Sequence, residues 1–353
     1  MNRAKKYGLW GAALGAVSCG AINLIRQGKR MAQHPGTPFN REEWLLETSL
    51  GTVLFAAAGA GIGAIADDRN ERIPRVNASR ILFDMAKRAM LSTSDPRYLQ
   101  MREKVEGLIG KLRERFGALL KTPPMMGGST AKGTALRENF DFDVFLSFTP
   151  DSFPSTEVMY MKLSDYLRGL IGRHGVADVR EQKKSIGVTL VVGFREYQVD
   201  IVPCKISDSA SGCTSGYLYV NPRSLFGSRG SYTKTDFQRL TRQKLGPVQR
   251  HLLILLKCWR NKYNLPMSSY LLENLLLDAY AYNAMPSAFA GKLLMVFRHI
   301  ANNLDVAVIR SIENTNNILT NIPASSKAKI IDACNAVIND YEYQPNSILD
   351  AFK

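Results

Sequence analysis

Residues 127–146 read GGSTAKGTALRENFDFDVFL, a glycine-rich turn followed by an apolar run in which Asp141 and Asp143 stand two apart. On a strand, residues i and i+2 project from the same face. Two carboxylates side by side in a hydrophobic strand repel each other and are costly to bury without a cation. A divalent metal, Mg²⁺ or Mn²⁺, is the usual remedy, and Mg²⁺ completes its octahedron with water and substrate phosphate oxygens.

Upstream, Gly128 and Ser129 begin a turn able to present backbone N–H groups and a hydroxyl to a phosphate. It is not a Walker A loop, because Lys132 precedes Gly133 where GxxxxGK[ST] requires the reverse order. Downstream, residues 197–203 (YQVDIVP) place Asp200 alone in a β-run. It could join Asp141 and Asp143 against a pair of ions, an arrangement that clamps the attacking hydroxyl and the leaving group of an in-line displacement at phosphorus.

Outward from this segment, helical patterns are expected at 77–91 and 97–120, the second with Met101, Val105, Leu108, Leu112 and Phe116 on one stripe. A helix follows near 155–174, and strands at 186–193 and 197–203 form a hairpin. After a Ser/Gly-rich loop at 207–216 the chain reads as helices at 233–243, 247–264, 268–284, 287–301 and 325–341. The expected fold is α/β (α+β): a catalytic domain over 71–210 with leading helices, then a helical domain over 211–353 that completes the site. Five scattered cysteines without a CxxC pair, and four histidines without zinc spacing, indicate neither a disulfide framework nor a structural zinc site.

GGSTAKGTAL with DFDVFL, then VDIVP, LLILLKCW and SSYLLENLLLDAYAY, resembles in order the nucleotidyltransferases of the DNA polymerase β-like superfamily. Within it the motifs are most similar to the 2′-5′ oligoadenylate synthetases, cyclic GMP-AMP synthase and the bacterial CD-NTases. The resemblance spans about 125–284, with an echo in Asn314-Thr315-Asn316-Asn317. It implies that Gly128 and Ser129 hold the donor triphosphate. Asp141, Asp143 and Asp200 would carry two Mg²⁺ or Mn²⁺ ions, Lys257 would reach the triphosphate, Ser269 would assist it, and Tyr270 would lie near the base. Physically, Lys257 inside Leu-Leu-Lys-Cys-Trp is odd in an apolar helix unless it meets an anion, whereas Tyr270 could equally join the stripe of Leu271, Leu272, Leu275 and Leu276.

Residues 1–70 lie outside the resemblance. Segments 8–25 and 48–66 contain no charged residue and are rich in Gly and Ala. They approach the roughly 17–20 residues of a membrane helix and have the small residues that closely packed spans prefer. A two-span hairpin is expected, anchoring the catalytic domain on the cytosolic side of the inner membrane. A lipoprotein signal ending at Cys19 and a Gly/Ala-rich soluble hairpin, with a cytoplasmic location, are the competing readings.

The chain carries 46 Lys and Arg against 31 Asp and Glu, a net +15. Residues 1–30 hold six basic and no acidic residues. Residues 223–262 hold Arg223, Arg229, Lys234, Arg239, Arg242, Lys244, Arg250, Lys257, Arg260 and Lys262 against Asp236 alone. The second stretch could track the phosphates of a growing product or a nucleic-acid activator, or form a solvated helix face. Tyr341 and Tyr343 could offer a phenol to start a chain or simply pack. The expected activity is condensation of nucleoside triphosphates into a cyclic or linear oligonucleotide with release of pyrophosphate. By resemblance this serves antiviral (anti-phage) signalling through a nucleotide-responsive effector protein. The alternatives are a polymerase acting on DNA, RNA or a protein hydroxyl, and a membrane effector whose nucleotide fold only binds a ligand.

Overall fold

In the computed structural model the described residues are 77–352, except 209, 211–213, 223–229, 243–244, 307, 311–315 and 321. The chain divides into two units, Ala78–Asn339 with Ser347–Lys353, and Met1–Asn77 with Asp340–Asn346. Both apolar segments, 8–25 and 48–66, lie outside the described residues. Among the described residues, no helix is long and apolar enough to cross a membrane.

Among the described residues seven strands, β1 (Met125–Gly127), β2 (Phe142–Phe148), β3 (Val176–Glu181), β4 (Ile186–Val192), β5 (Arg195–Ile206), β6 (Ser215–Val220) and β7 (Ser231–Asp236), form one sheet. The order is β1-β2-β5-β4-β3, with β6 on β5 and β7 on β6. Among these strands β2 and β5 run parallel and the other pairs are antiparallel. The 12-residue β5 is the axis: one edge takes β2, and the other takes β4 and then β6. Strand β2 is buried on both faces, as a central strand should be.

The helices are α1 (Ala78–Ala89), α2 (Pro96–Phe116), α3 (Gly128–Lys132), α4 (Thr156–Arg168), α5 (Phe237–Arg242), α6 (Pro247–Lys262), α7 (Ser269–Tyr282), α8 (Phe289–Asn303) and α9 (Ala324–Tyr343). Asp95 caps α2 by accepting from the Arg97 N–H at 3.0 Å, and Pro96 fills the first turn, where no donor is lost. The stripe Met101, Val105, Leu108, Leu112 and Phe116 then packs with Met159, Leu163 and Leu167 of α4 on Phe142, Val144, Leu146 and Phe148. These alternate residues of β2 share one face. The intervening Phe145 packs on the other face with Cys204, Ile206, Leu218 and Phe237, its ring stacked on Phe237 with centroids 4.4 Å apart. Asp143 therefore belongs to the face opposite α2 and α4.

Several expectations are corrected. The helix read over 233–243 begins only at Phe237, and residues 215–220 and 231–236 are strands. The sheet thus continues beyond the boundary drawn at 210/211. The helix near 155–174 stops at Arg168, where Gly169, Gly172 and Gly175 turn the chain into β3, a strand the sequence pattern did not indicate. The first helix does not lead the sheet: α1 packs on α6 and α8, with the Phe83 ring 4.5 Å from His251 and 5.5 Å from Phe289. The remaining helices begin and end close to their expected bounds, and Leu252 to Leu256 of α6 are all buried.

Candidate active site

β1 hands the chain to α3 at Gly127 and Gly128, so the glycine-rich turn is a strand end followed by a single helical turn. Gly128 has φ +64°, and a Cβ there would lie 1.6 Å from the Asp143 Oδ2. Only glycine satisfies both the left-handed backbone and this close approach. β1 pairs Gly127 with Asp143, and β2 pairs Asp143 with Asp200 across the parallel register. Asp143 and Asp200 consequently share a face on neighbouring strands, with Asp141 immediately before β2.

A cavity of about 700 Å³ opens over this corner. Gly128, Ser129, Asp141, Asp143, Lys257, Ser269 and Tyr270 all line it, residues drawn from β2, α3, α6 and α7 as well as the loop before β2. Asp200 is not among its lining residues; its Oδ1 accepts from Gln182 Nε2 at 3.1 Å. Lys257 is 4% exposed, and its Nζ donates to the Thr134 carbonyl at 2.7 Å. Arg260 Nη1 donates to the Ser269 hydroxyl at 3.1 Å and to the Met267 carbonyl at 3.2 Å, which fixes the entry into α7.

The electrostatics follow from burial. Desolvation, then the charges of Asp141 and Asp200, push the Asp143 carboxyl up to about 7 against the pull of Lys132 and Lys257. Desolvation also raises Asp200, opposed by its hydrogen bond from Gln182. Lys257 moves the other way, down to about 8, through desolvation and the nearby Arg260. Among the described residues no group of three or more His, Cys, Asp or Glu side chains forms a ready-made metal cluster. The donor chemistry nonetheless fits a divalent cation: the charge of Asp141 raises the proton affinity of both Asp143 and Asp200, which a hard cation bound by oxygen ligands would relieve.

Two contributors escaped the sequence reading. Lys132 lines the cavity and its Nζ pairs with Glu273 Oε1 at 2.8 Å, joining α3 to α7. Glu273 is buried inside Leu-Leu-Glu-Asn-Leu-Leu, an anomaly of the same kind as Lys257 and legible by the same rule. Arg250 also lines the cavity, as the nearest side chain to Gly133. The basic stretch 223–262 does not act as one strip. Arg250, Lys257 and Arg260 face the cleft, whereas Arg239 pairs with Asp236 at 3.6 Å and Lys262 donates to the Asp350 carbonyl. Arg223, Arg229 and Lys244 lie outside the described residues.

No protein-family model and no curated protein matches the sequence. Solved structures do match. The CdnC of E. coli MS115-1 with ATP is 18% identical, with a TM-score of 0.58 over 79% of this chain and 100% of that one. The CD-NTase CdnG of Bradyrhizobium diazoefficiens in complex with GTP is 15% identical, with a TM-score of 0.58 over 78% and 95%. A Cid1 poly(U) polymerase with Mg and 3′-dATP is 12% identical, with a TM-score of 0.52 over 78% and 98%. At such identities the likeness is one of architecture: the chain shares its fold with these solved structures.

Proposed function

We propose that this protein is a metal-dependent nucleotidyltransferase that joins nucleoside triphosphates into a short cyclic or linear oligonucleotide. The observation that carries the reading is the convergence of the Gly128–Ser129 turn, Asp141, Asp143, Lys257 and Ser269 on one cavity, in a fold shared with nucleotide-bound CdnC and CdnG. In this reading the turn, Lys257 and Ser269 hold the donor triphosphate, with Lys132 close by. Asp141, Asp143 and Asp200 would hold two Mg²⁺ or Mn²⁺ ions, which would supply charge neutralisation and activation of the attacking hydroxyl.

The acceptor hydroxyl oxygen bonds to the α-phosphorus as the bridge to the β-phosphate breaks. Pyrophosphate leaves with the electron pair, and the hydroxyl proton passes to the carboxylate cluster or to water. Positioning and electrostatics do most of such work. Burial suits the site to it, because Lys257 acts from a poorly solvated position where charge interactions are stronger than in water.

The likeness to CD-NTases supports a role in antiviral signalling through a nucleotide-responsive effector. The likeness to a poly(U) polymerase supports a second reading, addition of nucleotides to an RNA end. Attachment to the inner membrane through 8–25 and 48–66 belongs to the proposal on sequence grounds. The test is incubation of the full chain with each labelled ribo- and deoxynucleoside triphosphate plus Mg²⁺ or Mn²⁺, with products resolved by mass. New phosphodiester-linked products are expected; no incorporation from any donor would overturn the reading.

A further inference from the structure

The cleft continues past Asp141. A second cavity of about 590 Å³ shares Ser129, Asp141, Lys257 and Ser269 with the first. A third, of about 650 Å³, shares Arg97, Leu136, Glu138, Arg195 and Asn261 with the second. The three form a path that starts at Gly128, passes Asp141 and leads away from the donor pocket.

The far end is strongly basic. Arg88 of α1, Arg97 of α2, Arg137 and Arg195 of β5 line the third cavity, with Glu138 the sole acidic residue among the described residues of its wall. Asp95 positions two of these arginines: Arg97 Nη2 lies 2.9 Å and Arg137 Nε 3.4 Å from its Oδ2. Arg97 Nη2 also donates to the Arg137 carbonyl at 3.1 Å, which draws the pair together. Arg88 and Arg195 form no ion pair among the described residues. Four guanidinium groups around one cavity, two of them without a carboxylate, create a deficit of negative charge. The planar guanidinium fork matches phosphate oxygens.

None of these four arginines belongs to the basic stretch at 223–262. They come from elements far apart in sequence, so only the fold assembles the site. Its connection to Asp141 gives it a direction: a ligand anchored on the arginines can place its other end at the carboxylates. A lone nucleotide at the carboxylates would leave the arginine cavity empty, whereas a strand would occupy both.

We infer that the arginine cavity binds the phosphodiester backbone of an acceptor oligonucleotide of at least two nucleotides, holding its terminal hydroxyl toward Asp141. The direction of the strand rests on the nucleotidyl-transfer reading; the anion site does not. In each transfer the terminal hydroxyl oxygen bonds to the α-phosphorus of the donor and the bond to pyrophosphate breaks. The strand grows by one nucleotide, with one pyrophosphate and one proton released. The strand could be the protein's own product or a separate nucleic-acid primer, which share this chemistry.

The test is anisotropy of a 5′-labelled single-stranded tetranucleotide titrated with full-length protein, wild type and Arg88→Ala/Arg195→Ala. ATP binding is measured alongside. The variant should bind the tetranucleotide about tenfold more weakly. The slope of log affinity against log salt should fall by about 1.4, roughly 0.7 for each lost phosphate contact on a single strand. ATP affinity should stay unchanged, and Arg88→Lys/Arg195→Lys should recover most of the binding. Equal tetranucleotide affinity in wild type and Ala variant, or no binding to a wild type that does bind ATP, would overturn the inference. Loss of binding in the variant together with a wild type that transfers no nucleotide would leave the anion site standing and remove the enzymatic reading. Where transfer occurs, products from triphosphates alone that stop at the dinucleotide in the Ala variant identify the strand as the protein's own. A defect seen only with added primer identifies the primer.

Discussion

Replacing Asp143 by Asn should make the metal-free protein more stable while abolishing nucleotide transfer. Burial and two neighbouring carboxylates move the Asp143 carboxyl from 3.8 to about 7. Between those values the folded state retains a proton that the unfolded chain has released. Stability therefore falls as pH rises through this window, and the loss is complete above about 7 and absent below 3.8. At about 1.4 kcal/mol for each pKa unit, the wild type gives up about 4 kcal/mol at pH 8. Asn keeps the shape without the charge, so most of that loss should be recovered, about 2–4 kcal/mol. The assay is urea denaturation of wild type and Asp143→Asn in the presence of a chelator at pH 4 and pH 8. The gap between the two proteins should widen toward pH 8, and added Mg²⁺ should raise the wild type more than the variant. A gap independent of pH, or a variant less stable than wild type at pH 8, would refute the view that Asp143 sits in a carboxylate cluster awaiting a cation.

Gly128→Ala should cost about 1–3 kcal/mol from the left-handed backbone alone, and more from the overlap with Asp143, together with loss of activity; thermal melting and a transfer assay check this. Lys257→Met should lower kcat/KM for the donor by about a hundredfold without unfolding the protein, because a buried charge gives way to an apolar chain of similar length. In the wild type the same parameter should decline as pH rises through about 8, where Lys257 loses its proton; a flat profile from pH 7 to 9.5 would contradict that role. Carbonate extraction of membranes should retain the full-length protein and release one lacking residues 1–76, whereas release of both would reject membrane spanning.

The legibility of the sequence varied with the physics of each element. The paired aspartates and Lys257 could be read because each breaks a local rule, a carboxylate in an apolar run or a charge in an apolar helix, and the Gly-Ser turn because it stands just before the aspartates. Glu273 breaks the same rule, yet its partner Lys132 lies 141 residues away, a pairing that no spacing discloses. β3 escaped because it lies at the end of the sheet with only Val176 and Val179 buried and an irregular register, leaving no clean alternation. β7 escaped because Ser231–Asp236 contains one apolar-bodied residue, Tyr232, and that one is exposed. The docking of α1 on α6 and α8 was hidden for another reason. Its apolar stripe declares a buried face but not what buries it. The arginine cavity was unreadable for the same cause, since Arg88, Arg97, Arg137 and Arg195 meet only in three dimensions.

Pyrophosphate release, followed with each nucleoside triphosphate and Mg²⁺ or Mn²⁺ in wild type and in Asp141→Asn/Asp143→Asn, reads the chemistry itself. The wild type should release one pyrophosphate for every phosphodiester bond formed, and the variant should release almost none while remaining folded. Equal release by both proteins, or none by the wild type with any donor, would contradict the assignment of this site to nucleotidyl transfer.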